Sequence, residues 1–517
     1  MAPILIKTIL ISESVDPCCK KILEDNGIQV TEKLNLTKED LISEIKDYDG
    51  LVVRSSTKVT ADVINAARNL KIIGRAGTGV DNVDVEAATK NGVIVMNTPS
   101  GNTISAAELT CILLTSLSRH VPQAAMSMKA GKWDRKKFMG TELYGKTLGI
   151  VGLGRIGKEV ASRMQSFGMK TIGYDPITPR EVSASWGVEQ MSLEELWPQC
   201  DFITVHTPLM PSTTGLLNDT SFAKCKTGVR VVNCARGGII DEDALLRALG
   251  VRTEPPKNRA LVDHANVISC PHLGASTHEA QARCGQDIAL QIVDMVKGKG
   301  LVGAVNAQVL ASTFCQESHQ WIRLGEAIGA VLRSCATSKP CSQVQITTQG
   351  DRLKTSTGYI TSAVMVGLLS QATGGSANLV NALTLAKQSG ITVTQTHSQS
   401  EASCHGVCEV EISADGAGYK ASGSVLGGVP VLLELGGSIF RQPVSLAGNL
   451  LFLLVSPGPN LLSSMAGVLA AAGVEMQSFS APTANGGEVW CCVGVSAPVG
   501  DLGALKPVAK QASQIAI

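Results

Sequence analysis

The chain has 517 residues, enough for two to four domains, and its 45 basic and 44 acidic residues leave a formal net charge of +1. This balance gives no electrostatic reason to expect nucleic acid or a membrane surface as a partner. The fifteen cysteines lack the paired spacing of a disulfide framework, and no apolar run is long and uninterrupted enough for a signal peptide or a membrane span. We therefore expect a cytoplasmic protein.

The first hundred residues alternate short apolar strands with helices. Strands are predicted at 8–11, 50–53, 70–74 and 93–97, and helices at 18–26, 38–45 and 61–67. This alternation is typical of a parallel α/β sheet. The region contains no phosphate-binding loop of its own, so we assign residues 1–100 to substrate binding.

A second α/β region follows and is predicted to form a Rossmann-like nucleotide-binding domain over residues 101–272. A long apolar helix is expected at 105–118, with strands at 148–151, 170–174, 202–206 and 229–233. A helix around 280–297 would return the chain to the first domain, and residues 273–300 would complete that domain. The expected architecture is a nucleotide-binding domain inserted in a flavodoxin-like substrate domain.

The most informative motif is Gly152-Leu153-Gly154-Arg155-Ile156-Gly157, which follows a predicted strand and opens a helix. The first glycine permits a tight turn, the second lets the backbone approach a pyrophosphate, and the third lets the helix pack on the strand. Asp175 ends the next strand, where it would bind the ribose hydroxyls and repel a 2′-phosphate. The motif predicts NAD as the cofactor, and a glycine-rich turn in another kind of α/β domain is the alternative.

Two further modules are expected after residue 300. Residues 305–445 suggest an α+β domain without a clear pattern. In residues 446–517, a strand at 450–455, a helix at 461–472 and strands at 474–480 and 488–495 resemble an ACT-type regulatory domain. Cys404-His405-Gly406-Val407-Cys408 is the nearest approach to a metal motif, but no second pair follows it, so we predict free thiols and no metal site.

Three residues could carry out acid–base chemistry and anion binding beside a nicotinamide. His272 suits proton transfer near neutral pH, and Glu254 is the carboxylate that could orient it. Arg236 follows a strand end, where ligands bind in such sheets, and arginine suits bidentate carboxylate recognition. Each residue alone is more commonly structural or solvated, but their joint order on one nucleotide domain favours catalysis.

This order resembles the D-isomer-specific 2-hydroxyacid dehydrogenases, which use an Arg, a Glu and a His in that sequence. The matching segments are residues 74–84, 97–99, 152–157, 206–208, 233–238 and 271–275. Within the family the chain resembles the long, animal-like form. That form oxidises 3-phosphoglycerate, which is the entry step to serine synthesis. The resemblance therefore implies NAD-dependent oxidation of this 2-hydroxy acid, and reduction of 2-oxo acids in the reverse direction.

The resemblance also implies individual roles. The catalytic residues would be Arg236, Glu254 and His272. The substrate's anionic groups would meet Arg54, Ser55, Arg75 and Gly77. The cofactor would be contacted by Thr78, Gly152, Gly154, Arg155, Ile156, Gly157, Asp175, Thr207, Cys234, Ala235, Arg236, His272, Leu273, Gly274 and Ala275. The helix at 105–118 and the apolar flank before Trp133 would form a dimer contact, and a dimer or tetramer is expected.

The chain departs from the family after the predicted helix at 243–249. A glycine-rich turn and an apolar strand should follow, and that strand carries an Asp that binds the nicotinamide amide. Here Glu254 comes only five positions after Leu249, so roughly ten residues, about one strand and its turn, are missing. We expect the fold to survive elsewhere and catalysis to be weakened or lost.

Two alternatives remain open. Another 2-hydroxy acid, such as glycerate or glyoxylate, could be the substrate, although the Arg54 and Arg75 pair and the C-terminal extension argue against it. A non-catalytic NAD-binding or interaction protein is the other alternative, because the family also contains transcriptional corepressors. The missing strand favours that alternative, while the presence of Arg236, Glu254 and His272 opposes it.

Overall fold

The computed structural model describes residues 5–249, 258–307, 310, 316–336, 341–354, 357–398, 406–482 and 487–517. The chain divides into two compact units. One contains the chain up to Asn97 together with the chain from Ile288 onwards, and the other is Thr98–Asp287. The second boundary falls inside a helix, His278–Val296.

The N-terminal part of the first unit is a five-stranded parallel sheet in the order β2-β1-β3-β4-β5, which is the flavodoxin-like order. Its strands are β1 Thr8–Ile11, β2 Gln29–Glu32, β3 Gly50–Val53, β4 Ile72–Arg75 and β5 Ile94–Asn97. Its helices are α1 Pro17–Asp25, α2 Lys38–Glu44, α3 Ala61–Ala66 and α4 Val85–Lys90. The predicted α/β class is confirmed.

The predicted strands at 8–11 and 50–53 agree residue for residue with β1 and β3, whose central positions are buried on both faces. The sequence analysis missed β2. Only one of the four β2 residues is buried, because β2 lies at the edge of the sheet, so the strand carries no apolar run. It also missed the short helix α4.

The second unit holds a parallel sheet in the order β10-β9-β6-β7-β8. Its strands are β6 Thr147–Val151, β7 Lys170–Tyr174, β8 Glu189–Gln190, β9 Phe202–Val205 and β10 Arg230–Asn233. Its helices are α5 Thr103–Arg119, α6 Val121–Lys129, α7 Arg155–Gln165, α8 Arg180–Ala184, α9 Leu193–Leu196, α10 Asp219–Lys224, α11 Glu242–Ala248, α12 Asn258–Val262 and α13 His278–Val296. Read from β8, this is the Rossmann order without its sixth strand.

The third sheet is mostly antiparallel, in the order β12-β11-β13-β14-β15-β16, and only β11 and β12 are parallel. Its strands are β11 Cys341–Gln349, β12 Thr392–Ser398, β13 Val407–Ala414, β14 Ala417–Leu426, β15 Val429–Leu435 and β16 Ser438–Ser445. Its helices are α14 Gln316–Cys335, α15 Thr357–Leu369 and α16 Ala382–Gln388. The prediction of free thiols and no metal site at 404–408 concerns Cys404 and His405, which lie outside the described residues.

The last module is an antiparallel sheet in the order β18-β19-β17-β20, with one helix. Its elements are β17 Asn449–Val455, α17 Leu461–Ala471, β18 Met476–Ser480, β19 Val489–Val495 and β20 Gln511–Ala516. The predicted strand–helix–strand–strand order is present, and the sequence analysis missed β20. Among the described residues no helix is both long and apolar enough to cross a membrane.

Candidate active site

The glycine motif lies in the turn from β6 into α7. Gly152 has a φ of +97°, and a Cβ there would come within 2.7 Å of the His206 carbonyl oxygen. A Cβ at Gly157 would overlap the Gly152 carbonyl oxygen. The protein's own packing therefore requires the first and third glycines. A Cβ at Gly154 would meet no atom within 4 Å, so close approach of a ligand is what that glycine permits.

The start of α7 is suited to an anion. Gly154 is the N-cap residue and makes no side-chain cap, and no acidic residue occupies the first turn. The helix N-terminus therefore presents backbone N–H groups and a partial positive charge. Arg155, exposed at the first helical position, adds a full charge. This arrangement fits a pyrophosphate.

Asp175 follows β7 at the same edge of the sheet. Its carboxylate accepts hydrogen bonds from the backbone N–H groups of Leu153 at 2.7 Å, Ile177 at 2.7 Å and Thr178 at 3.0 Å. Burial raises the pKa of Asp175, but these three donors outweigh it and hold the pKa below its ordinary value. The group is therefore an anion at neutral pH. Its Oδ1 accepts two of the three bonds and its Oδ2 only one, so Oδ2 has a further lone pair for a ribose hydroxyl.

Thr207, at the end of β9, supplies an unsatisfied polar group beside the glycine turn. Its Oγ1 is buried and has no hydrogen-bond partner among the described residues, and a Cβ at Gly152 would lie 3.0 Å from its Cγ2. A buried hydroxyl without a partner is costly, and a bound dinucleotide would satisfy it. Gly154, Asp175 and Thr207 together fit NAD.

His206, next to Thr207, is held in place by the protein itself. Its ring Nε2 lies 3.0 Å from the Thr204 hydroxyl, and burial lowers the pKa of His206 to about 4. The imidazole is therefore neutral at physiological pH. Its role is to complete the end of β9 rather than to transfer protons.

The loop after β10 carries Cys234, Ala235 and Arg236. The Asn233 side chain shapes this loop, because its Oδ1 accepts from the Ala235 N–H at 2.9 Å and its Nδ2 donates to the Arg236 carbonyl at 2.8 Å. The half-buried Arg236 side chain donates to the Ala235 carbonyl at 2.8 Å. Burial raises the pKa of Cys234, so its thiol stays protonated.

Of the predicted catalytic pair, Glu254 and His272, only His272 lies in the described part of the chain. Glu254 lies outside the described residues. His272 is exposed and makes no hydrogen bond with any described residue. The loop that carries it is anchored further along, where the Gln281 side chain donates to the Ala275 carbonyl at 2.5 Å and the Ser105 and Thr277 hydroxyls lie 2.7 Å apart.

The region of the missing strand is open in the described part of the chain. There β10 is the outermost strand of its sheet, and only one of its four residues is buried. The segment 267–270, which carries the β-branched Val267 and Ile268, belongs to no strand. The predicted loss of one strand would produce both features, because that strand would otherwise be a neighbour for β10 and this segment to pair with.

The predicted anion-binding residues lie at one edge of the first sheet. Arg54 follows β3 and Arg75 ends β4, and these two parallel strands pair with Val53 opposite Arg75. A Cβ at Gly77 would overlap the Arg75 guanidinium, and the φ of Gly77 is +148°. The backbone carbonyl of Thr78 accepts from the Asn97 side chain at 2.5 Å, so three neighbouring strands contribute to this edge.

Comparison with known proteins identifies the class of protein that these features define. The NAD-binding domain model of the D-isomer specific 2-hydroxyacid dehydrogenases matches residues 111–274, and the D-3-phosphoglycerate dehydrogenase intervening domain model matches residues 317–434. D-3-phosphoglycerate dehydrogenase of Homo sapiens is 57% identical to this chain over an alignment of 526 positions, which covers 98% of each chain. The chain therefore belongs to the D-3-phosphoglycerate dehydrogenase family of 2-hydroxyacid dehydrogenases.

Other relatives agree with this assignment. D-3-phosphoglycerate dehydrogenase of Methanocaldococcus jannaschii is 42% identical over 83% of this chain and 84% of its own. The NAD+-bound 3-phosphoglycerate dehydrogenase of Entamoeba histolytica superposes with a TM-score of 0.50 at 31% identity, over 58% of this chain and 99% of its own. A glyoxylate reductase from Paecilomyes thermophila gives a TM-score of 0.53 at 27% identity, over 59% of this chain and 99% of its own.

The alignment with the human relative also bears on the gap. It spans 526 positions and includes 98% of the 517 residues of this chain, about 507, so about nineteen positions of the relative have no counterpart here. A deletion of roughly ten residues after Leu249 fits within that number.

Proposed function

We propose that this chain oxidises 3-phosphoglycerate to 3-phosphohydroxypyruvate with NAD, the first step of L-serine biosynthesis, and reduces 2-oxo acids in the reverse direction. The observation that carries the proposal is the dinucleotide site of Gly154, Asp175 and Thr207 in a chain 57% identical to the human dehydrogenase. The intervening-domain match supports the same substrate over other 2-hydroxy acids.

The chain's own residues divide the chemistry between them. NAD supplies the hydride acceptor when it is bound. Arg236 holds the substrate carboxylate, and His272 accepts the C2 hydroxyl proton as hydride leaves C2. Glu254 stabilises the imidazolium that results.

The first unit contributes the charge for a second anionic group. Arg54 and Arg75 lie at the carboxyl edge of neighbouring strands, and 3-phosphoglycerate carries a phosphate as well as a carboxylate. The phosphate of 3-phosphoglycerate gives this positive edge a second anion to bind, which glycerate and glyoxylate lack, so we expect 3-phosphoglycerate to be preferred over them.

A second function, NAD binding without turnover, is favoured by the region around the gap. In the described part of the chain β10 is the outermost strand of its sheet. The amide-binding Asp that the family carries on the missing strand is absent from the sequence between Leu249 and Glu254. NAD could then be bound through α7 and Asp175 without correct placement of the nicotinamide.

Three forms of the protein would separate these functions. The first is the chain itself. In the second form, the strand of the human relative is inserted between Leu249 and Glu254. The third form receives a Gly/Ser insert of equal length, which restores the length of the connection but adds no strand. NADH formation with 3-phosphoglycerate, glycerate and lactate is measured by absorbance for each form, and NAD affinity by calorimetry.

Turnover by the chain itself supports the first function and rules out the second. Turnover by the strand-restored form alone supports the substrate assignment and makes the chain a disabled variant. NAD binding by all three forms with no turnover of any 2-hydroxy acid would overturn the proposed reaction.

We also propose a cytoplasmic homodimer or homotetramer. Large apolar side chains are exposed on α5, on α6 and in the segment that follows, namely Ile112 at 57%, Met126 at 63%, Trp133 at 73%, Met139 at 79% and Tyr144 at 78%. Exposed apolar surface on this scale is typical of an interface. Sedimentation of the chain and of a Met126→Glu variant tests this, and a monomeric parent chain would contradict it.

A further inference from the structure

The loop that carries Arg54 is held by a carboxylate that lies just after a different strand, β1. Glu13, two residues beyond β1, accepts hydrogen bonds from the backbone N–H groups of Arg54 at 2.8 Å, Ser56 at 2.9 Å and Thr57 at 2.9 Å. Three backbone N–H groups of one loop thus converge on a single anion, and that anion is the protein's own side chain.

The opposite side of the same loop is held by an amide. The Nδ2 of Asn82 donates to the Arg54 carbonyl at 2.7 Å and to the Thr57 carbonyl at 2.6 Å. Glu13 therefore takes the N–H groups of the loop and Asn82 takes its carbonyls. The two side chains fix the backbone over residues 54–57 from both directions.

This arrangement determines which groups remain for a ligand. Ser55 is exposed, and neither its N–H nor its hydroxyl is hydrogen-bonded to another described residue. The Arg54 guanidinium has one protein contact, from Nη1 to the Ser14 carbonyl at 3.4 Å, which leaves most of its five donors available. The Arg54 side chain and Ser55 are therefore the anion-binding groups of this loop.

The charge of Glu13 persists at neutral pH. Burial raises the pKa of Glu13, but the backbone N–H groups of Thr57, Ser56 and Arg54 outweigh burial and keep the pKa below its ordinary value. Because the carboxylate already occupies these amides, a substrate anion cannot use them, which leaves the Arg54 side chain and Ser55 as the groups of this loop for an anion.

We propose that Glu13 is a positioning residue that holds Arg54 and Ser55 in the geometry that binds the anionic end of the substrate. The proposal rests on the proposed function, since it concerns the same 3-phosphoglycerate site. We expect Glu13 to affect the affinity for substrate but not the affinity for NAD, because the contacts of Glu13 lie in the first unit.

The test compares Glu13→Gln with the matched control Glu24→Gln, which removes an exposed carboxylate of α1 that forms no ion pair or side-chain hydrogen bond among the described residues. A glutamine has one acceptor oxygen and its NH2 group faces amide donors, so the three N–H groups cannot all be satisfied. Amide hydrogen exchange of residues 54–57 reports the loop, and calorimetry gives the affinities for 3-phosphoglycerate and NAD.

We expect Glu13→Gln to speed exchange in the loop and to weaken 3-phosphoglycerate binding by about tenfold or more, the factor expected from the loss of one charge-assisted hydrogen bond. NAD affinity should stay unchanged, and the control should match the parent chain. Asn82→Leu, which removes both donors on the other side of the loop, should also weaken 3-phosphoglycerate binding alone, and it decides the question if Glu13→Gln does not fold.

Two results would overturn the inference by itself. One is unchanged exchange in the loop, and the other is faster exchange with 3-phosphoglycerate affinity equal to that of the parent chain. Failure of the parent chain to bind 3-phosphoglycerate would instead overturn the proposed function, and the inference with it.

Discussion

Gly154 and Gly157 differ in what would oppose a methyl group at each position. At Gly157 the added atom overlaps the Gly152 carbonyl, whereas at Gly154 it meets no protein atom within 4 Å. Gly154 also has a φ of −69°, which alanine adopts freely. The glycine at 157 is thus required by the packing of the protein, whereas the packing of the protein does not require the glycine at 154.

We predict that Gly157→Ala destabilises the second unit by about 1–3 kcal/mol through overpacking. Gly154→Ala should leave the unfolding temperature of the ligand-free chain unchanged and weaken NAD binding by about tenfold or more, equivalent to ~1.4 kcal/mol of lost contact. Thermal unfolding with and without NAD measures both effects. Full NAD affinity in Gly154→Ala would contradict the assigned role.

His206 gives a pH-dependent prediction. Its pKa is about 4 in the folded chain against an ordinary value of 6.5, because burial disfavours the charged ring. Between pH 6.5 and 4 the unfolded chain binds a proton that the folded chain does not, so stability falls as the pH is lowered through this window. As the pH is lowered through that window, the stability of the His206→Gln variant should fall less steeply than that of the parent chain. Urea unfolding at several pH values measures the difference. Parallel profiles would contradict a buried, neutral His206.

At the residue scale the sequence predicted the ligand-facing groups better than the groups that support them. Asp175 and the glycines were identified from spacing, and the structure places them together at the turn from β6 into α7, where Asp175 accepts from the Leu153 N–H. Their contact with a cofactor stays a prediction. Glu13 and Asn82 were missed as supports of the Arg54 loop. Both act across 25 to 44 positions of sequence, and no local pattern marks such a contact.

Strand β10 lies at the outer edge of its sheet in the described part of the chain. Val231, at its centre, is only half-buried, and no described strand pairs with its outer edge. Unpaired strand edges and uncovered apolar side chains both reduce stability. The second unit should therefore gain stability from a restored strand, independently of catalysis.

We predict that the strand-restored form unfolds at a higher temperature than the chain itself and shows slower amide exchange at Val231 and Val232. The Gly/Ser insert of equal length should give neither effect, because it lengthens the connection without pairing to β10. Equal exchange rates at β10 in all three forms would mean that the edge is already protected.

Elements were predictable where burial imposed a pattern on the sequence. The strand at 170–174 was predicted residue for residue, and strands β6, β9 and β10 differ by one residue at one end. In contrast, β14 carries serine, glycine and lysine, and only four of its ten residues are buried. The third sheet was therefore not recognised, because its strands are identified by antiparallel pairing between segments and not by their own composition.

The segment that leads into the C-terminal modules is built into the first unit. Gly303 accepts from the Asn97 N–H at 2.9 Å, and the Val305 N–H donates to the Val95 carbonyl at 2.8 Å. The Asn306 side chain accepts from the Val95 N–H at 2.9 Å and donates to the Val93 carbonyl and the Thr89 hydroxyl, both at 2.9 Å. The edge of β5 is thereby completed by chain more than 200 positions away.

We predict that Asn306→Ala destabilises the whole first unit by about 2–3 kcal/mol, since it leaves the N–H of the buried Val95 without its acceptor. Asn306→Asp should cost less because it keeps that acceptor. Urea unfolding followed by fluorescence measures both variants, with NAD affinity as a control for the second unit. Equal stability of the alanine variant and the parent chain would show that the pairing of the backbone alone holds the linker.

The sequence by itself determined the class of fold, the cofactor and the family, because glycine spacing, strand burial and the order of Arg236, Glu254 and His272 can be recognised before the chain is folded. It also predicts the gap before Glu254, since a missing strand changes the length between motifs. The tertiary structure decided that the Arg54 loop is held by Glu13 and Asn82 and that β5 is completed by residues 303–306. These contacts join distant segments through backbone amides, which every residue carries, so the sequence holds no mark of them until the chain is folded.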